Sequence, residues 1–210
     1  MVQVLLRYGE KLWPMAYLCR PRGMDMSKTQ VKPVFVDFLE ELRGSKEVNE
    51  TRLMDHLSEA LAAEEGSLEM YSEYAVNTND LALQRKLEEF REQTEKHVQI
   101  LRRVITALGG DPDCKSESAR AMQLKAQGLM EIELAGEAND ISHLKNLLTV
   151  ESLCQLNWQI LKKLSLRIKE SHITRILQDA VKMVESDEDE HVEWLRMMLE
   201  DRAYEALLKH

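Results

Sequence analysis

Glu188 and His191 stand three residues apart in the stretch VESDEDEHVEWL, and a helix places that spacing on one face. A carboxylate and an imidazole one turn apart can converge on a single divalent cation, and oxygen with nitrogen donors suits iron, manganese or zinc. The motif alone says little, because Glu is abundant in this chain and a Glu three residues before a His arises by accident. Three other stretches give it weight. Glu64 in EEGSLEMY, His97 in TEKHVQIL and Glu151 in VESLCQLNW each occupy a position where a helical seam calls for an apolar side chain. A buried, unpaired carboxylate costs several kcal/mol even after relaxation, so a stable core excludes it unless something compensates. A divalent cation, or a pair of them, is a ready compensation for several such groups meeting in one place.

The elements that must carry these residues follow from composition. Of 210 residues, 44% are hydrophobic, 31% charged and 5% aromatic, with only four Pro, which is the balance of an all-α protein long enough to bury a core. The short alternating runs that strands require are not found. A formal net charge of -9 argues against a nucleic-acid partner, and no apolar run is long enough to span a membrane. Cys19, Cys114 and Cys154 suggest neither a disulfide framework nor a C-x-x-C clamp. Idle or buried thiols in a reducing, cytoplasmic setting are the expectation.

Residues 1–26 read as an extension to which no role is assigned. Residues 27–48 hold a short helix, PVFVDFLEELRG, and a linker; residues 49–210 hold a four-helix bundle with a C-terminal tail. The four long helices are expected at 49–76, 80–108, 140–169 and 171–199. The first two and the last two are joined by a few residues, so each pair forms an antiparallel hairpin. The second and third are bridged by a long, partly helical crossover, which starts the third helix at the same end as the second.

The seams are apolar except near mid-height. The first runs through Leu57, Leu61, Glu64, Leu68, Tyr71 and Ala75, and the second through Phe90, Thr94, His97 and Leu101. The third runs through Leu147, Glu151, Cys154 and Trp158, and the fourth through Val184, Glu188, His191 and Leu195. Counted from the two hairpin turns, the interruptions fall within a few residues of one another, a mismatch of only a few ångströms along the axes. Four helices therefore break the same rule at one height.

In order and spacing these motifs resemble the ferritin-like superfamily, including rubrerythrins and bacterioferritins, over residues 49–199. Glu64 precedes Tyr71 by the same interval at which Glu151 precedes Trp158, as in the internal duplication of such folds. The resemblance implies a di-iron carboxylate bundle, in which two helices supply one Glu each and two supply Glu-x-x-His. Carried over by motif, the metal ligands are Glu64, His97, Glu151, Glu188 and His191. Glu64 and Glu151 are then terminal, Glu188 bridges, and each His holds one metal. The implied chemistry is Fe(II) oxidation, peroxide reduction, or O2 activation toward a small organic substrate.

Thr94 departs from that pattern, standing where the family has its other bridging Glu. Three states are compatible with the remaining five ligands: two metals with water or an exogenous ligand in the gap, one metal, or a metal-free layer of paired acids and imidazoles. The last would make the protein a helical scaffold or partner-binding bundle. Self-association, at least as a dimer, fits either reading.

Neighbouring residues receive plainer assignments. Glu65 falls off the seam spacing that Glu64 keeps. Asp140 and His143 imitate the motif but lie about 16 Å from the layer along the helix, and read as a cap and a surface histidine. Tyr71 and Trp158 read as core packing, with the Tyr71 hydroxyl a candidate partner for a carboxylate. Asp187, Asp189, Glu190 and Glu193 read as a solvated face.

Overall fold

The structure is a computed structural model in which residues 46–131 and 137–208 are described. The extension at 1–26 and the short helix expected at 33–44 lie outside the described residues. Among the described residues five helices are seen: α1, Glu50–Asn77; α2, Leu81–Ala107; α3, Glu117–Met130; α4, Glu137–Ser165; and α5, Ser171–Leu207.

Local chemistry starts and stops them. The side chain of Asn49 accepts from the Arg52 N–H, Asp80 from those of Ala82 and Leu83, and Ser116 from that of Ala119, capping α1, α2 and α3. Gly109 adopts φ 83°, the left-handed conformation that closes α2. Two C-terminal boundaries differ from expectation by more than a residue. The tail after residue 199 is not a separate element, because EDRAYEAL contains no helix breaker and α5 continues to Leu207. Arg202, on that continuation, pairs with the capping carboxylate of Asp80. Conversely, α4 ends at Ser165 rather than 169. There the backbone turns to pair with Lys46, whose N–H donates to the Arg167 carbonyl at 2.9 Å.

The helices α1 and α2 form one hairpin and α4 and α5 the other; α1 faces α4 and α2 faces α5. The crossover helix α3 lies along α1. Ser58 meets Cys114 and Ser116 at one end, and Asn146 donates to the Leu129 carbonyl at the other. The direction of α3 therefore matches that of α1, and α4 begins at the end where α2 began. Glycine is required at residue 66, since a Cβ there would sit 2.7 Å from that of Ala126. This approach covers a second face of α1, and for that reason Ala62, Ala63, Ser67 and Met70 are buried beside the seam, while Leu68 is only half-buried.

Two apolar clusters fill the bundle. One includes Tyr71, Leu83, Phe90, Leu147 and Leu195, and the other Leu57, Leu101, Leu161, Leu177 and Val184. Between them lies a slab of buried polar side chains. Among the described residues no helix is long and apolar enough to cross a membrane. Cys154 is a free, buried thiol.

Candidate metal centre

Glu64, Thr94, His97, Glu151, Glu188 and His191 are all at most 1% exposed and occupy this slab. The seam register of α1, α2, α4 and α5 brings them together from four separate stretches. Two groups of three result, Glu64 with His97 and Glu188, and Glu151 with Glu188 and His191; within each, one donor atom per residue lies within 4.8 Å of the others. Glu188 belongs to both groups. The imidazoles face one another across the slab with ring centroids 5.7 Å apart.

Both histidines are oriented alike. His97 Nε2 meets Asp187 Oδ2 at 3.3 Å, and His191 Nε2 meets Gln93 Oε1 at 2.9 Å, so each ring is anchored outward through Nε2. Acceptors there favour the Nε2–H tautomer, which turns a bare Nδ1 lone pair inward. Inward, His97 Nδ1 lies 2.9 Å from Glu188 and 3.6 Å from Glu64, and His191 Nδ1 lies 3.1 Å from Glu151. A lone pair cannot rest that close to a carboxylate unless a proton or a cation stands between them. The carboxylates have supports of their own. Trp158 Nε1 donates to Glu64 at 2.6 Å, and Ser67 donates to Glu151.

Charge makes the same demand. Three carboxylates face at most two imidazolium charges, and among the described residues no Lys or Arg forms an ion pair with any of the five. Burial disfavours the His97 imidazolium, but Glu188 and Glu64 outweigh it and raise its pKa to about 11. Burial first, then the Glu64 carboxylate, push Glu188 well above the usual carboxylate range. Burial would raise Glu151 too, yet the His191 imidazole and the Ser67 hydroxyl hold it below its ordinary value. Several groups remain unmatched: Glu64 Oε2, Thr94 Oγ1, His97 Nδ1 and both Glu188 oxygens lack a hydrogen-bond partner. The 2.9 Å contact between His97 and Glu188 is off the ring's N–H direction, so it brings charge close without making a hydrogen bond.

Several assignments change. Trp158 holds a carboxylate as well as packing, because its indole N–H reaches Glu64 across the α1–α4 contact. The Tyr71 hydroxyl is buried and finds no partner, while burial and then Glu151 push its phenol well above the ordinary value. Asp187, expected on the solvated face, contacts His97 where α5 packs against α2. His143 is 5% exposed and stacks on Tyr74 with ring centroids 3.8 Å apart, so it is a core residue at the end of the bundle. Asp140 lies inside the first turn of α4 rather than at its cap. Glu65 does turn away, pairing with Arg102 and Lys115. Ser67 and Gln93 escaped sequence reading; a serine or glutamine beside a seam carries no signal until the facing helix is placed.

Fold and site together define an all-helical, ferritin-like bundle with buried Glu/His groups compatible with metal binding. The chain belongs to the family described as Domain of unknown function (DUF892), whose model matches residues 49–207. Among solved structures it is similar to a dodecameric thioferritin, the bacterioferritin-related protein from Bacteroides fragilis. The two share 21% identity with a TM-score of 0.58, over 78% of this chain and 94% of that one. No curated protein matches the sequence.

Proposed function

We propose that the slab is a divalent-metal site with room in its donor set for two ions. Glu64, His97 and Glu188 would hold one, and Glu151, Glu188 and His191 the other. The observation that carries this reading is Glu188, shared by both groups, buried, and lacking a hydrogen-bond partner on either oxygen. Carboxylate oxygens with inward imidazole nitrogens suit iron first, with manganese and zinc as competitors. A pair of irons supplies two electrons on oxidation, which matches reduction of O2 to hydrogen peroxide or of peroxide to water. Fe(II) oxidation, peroxide reduction or O2 activation is the activity proposed.

The chain's own residues prepare that site. Trp158 and Ser67 each occupy one carboxylate oxygen and leave its twin for the ion. Asp187 and Gln93 keep Nε2 protonated, so Nδ1 is the nitrogen on offer. Phe90, 4.2 Å from the His191 ring by centroid, helps to keep water out. Thr94 contributes neither charge nor a strong ligand.

Metal analysis of protein from iron-supplemented medium tests the reading. Stoichiometric iron in the native chain, lost in E151A/H191A with helicity retained, supports it. Metal-free native protein whose melting ignores chelators overturns it. That second outcome would favour a degenerate scaffold, a reading supported by Thr94 and by the imidazole–carboxylate contacts. The dodecameric state of the solved relative supports self-association here as well, with a dimer as the smallest unit; light scattering during gel filtration measures it.

A further inference from the structure

A cavity of about 90 Å3 enters the bundle between α4 and α5 and ends against Glu188 and Trp158. That volume has room for several waters. Its mouth is spanned by two side-chain bridges. Gln155 Nε2 donates to Asp189 Oδ1 at 2.8 Å, and Lys162 Nζ donates to Glu185. Glu185 and Lys162 are about half exposed, with side chains at 43% and 54%, whereas Glu188 at the floor is 1% exposed with both oxygens unpartnered. At the rim two carboxylates, Glu185 and Asp189, stand against one ammonium, Lys162, so the mouth is net negative.

The other approach to the slab is different. A wider groove of about 600 Å3 between α2 and α5 reaches His97, but its charged walls cancel, Arg91, Lys96 and Arg103 against Glu92, Glu95 and Asp187. It ends at a ring nitrogen already taken by Asp187. A cation arriving there gains little field from the walls.

We infer that the α4–α5 cavity is the port through which a divalent cation reaches Glu188, with Glu185 and Asp189 as its outer ligands. This rests on the slab being a metal site. The bridges to Lys162 and Gln155 are exchangeable: an arriving cation takes the carboxylate oxygens, and the displaced amine and amide turn to water. Stepwise exchange of hydration water for Asp189, Glu185 and then Glu188 oxygens carries a hard ion inward without leaving it bare. Trp158, which lines the cavity and holds Glu64, places the next carboxylate beside the floor.

Co(II) serves as the probe, because its visible absorption reports coordination without oxidation. Metal-free full-length protein is mixed with Co(II) in a stopped-flow instrument. In E185Q/D189N, association is expected to slow by about tenfold or more and to lose most of its salt dependence, the signature of electrostatic steering. In Q159W, whose indole fills the mouth, association also slows. In both variants the final amount of bound Co(II) and the helicity match the native chain. Unchanged rates in both overturn the port, as does slowing confined to M183W in the α2–α5 groove. Native protein that binds no Co(II) instead sinks the metal-site reading, and the port falls with it.

Discussion

Thr94 sits at the centre of the slab, fully buried, with a hydroxyl that finds no hydrogen-bond partner. It stands on α2 one turn before His97, buried like the five Glu and His residues of the slab. A fourth buried acid at this position would meet no countercharge from a Lys or Arg among the described residues. Thr94→Glu is therefore expected to act in opposite directions with and without metal. Metal-free T94E should lose about 3 kcal/mol or more in denaturant titrations, the cost of an uncompensated buried charge. With iron supplied, it should bind closer to two ions per chain and oxidise Fe(II) faster than the native protein. If iron content and oxidation rate both stay put, the slab is not an iron site. Trp158 makes a complementary case. Trp158→Phe keeps an aromatic ring but leaves Glu64 Oε1 without its donor, and should cost about 1–3 kcal/mol in the metal-free state by the same titration.

At the scale of elements, the bundle depends on how closely α3 lies against α1. Helix propensity alone favours alanine over glycine at residue 66 by about 1 kcal/mol. A Cβ there would lie 2.7 Å from that of Ala126, so the helices must part. Overpacking of this kind costs about 1–3 kcal/mol. Gly66→Ala should therefore lower the melting temperature, and the G66A/A126G pair should recover much of the loss; a G66A variant as stable as the native chain would show that α3 is free to shift. The α1–α2 connection has a separate fastening in Asp80. Hydrogen bonds from the Leu83 backbone N–H first, then from Arg202, hold its carboxyl below the ordinary value. A depressed folded-state pKa means that this stabilisation is present above the unfolded value of about 3.9 and is lost as pH falls through the lower folded value. Asp80→Ala should remove about 1 kcal/mol at neutral pH and flatten the acid limb of the stability curve below about pH 4. An acid limb that is unchanged in the variant would remove Asp80 from the account.

For the whole molecule, the slab links four helices from two hairpins, so an ion held there would fasten the entire bundle. Saturating a site at about one hundred times its dissociation constant adds about 2.7 kcal/mol to stability. Chelation should accordingly lower one cooperative melting transition, rather than split it into separate hairpin transitions. A biphasic melt after chelation would mean that the hairpins are held together by the apolar clusters independently of the slab. Much of this was legible in the chain itself. Helical composition, the approximate bounds of the four long helices and the interrupted seams are written in short-range spacing, because a helix's period and its termini depend on residues within a few positions of one another. The same spacing singled out Glu64, His97, Glu151, Glu188 and His191 as inward-facing. It was silent on Ser67 and Gln93 as partners, on the indole of Trp158 reaching Glu64 and on α3 covering a second face of α1, and it misplaced Asp187 and His143, which it read as a solvated face and a surface histidine. Those depend on the rotation and height of one helix against another, which are set by packing between residues as far apart as Gln93 and His191, 98 positions along the chain. Periodicity decided which side chains turn inward; only the assembled bundle decided whom they meet.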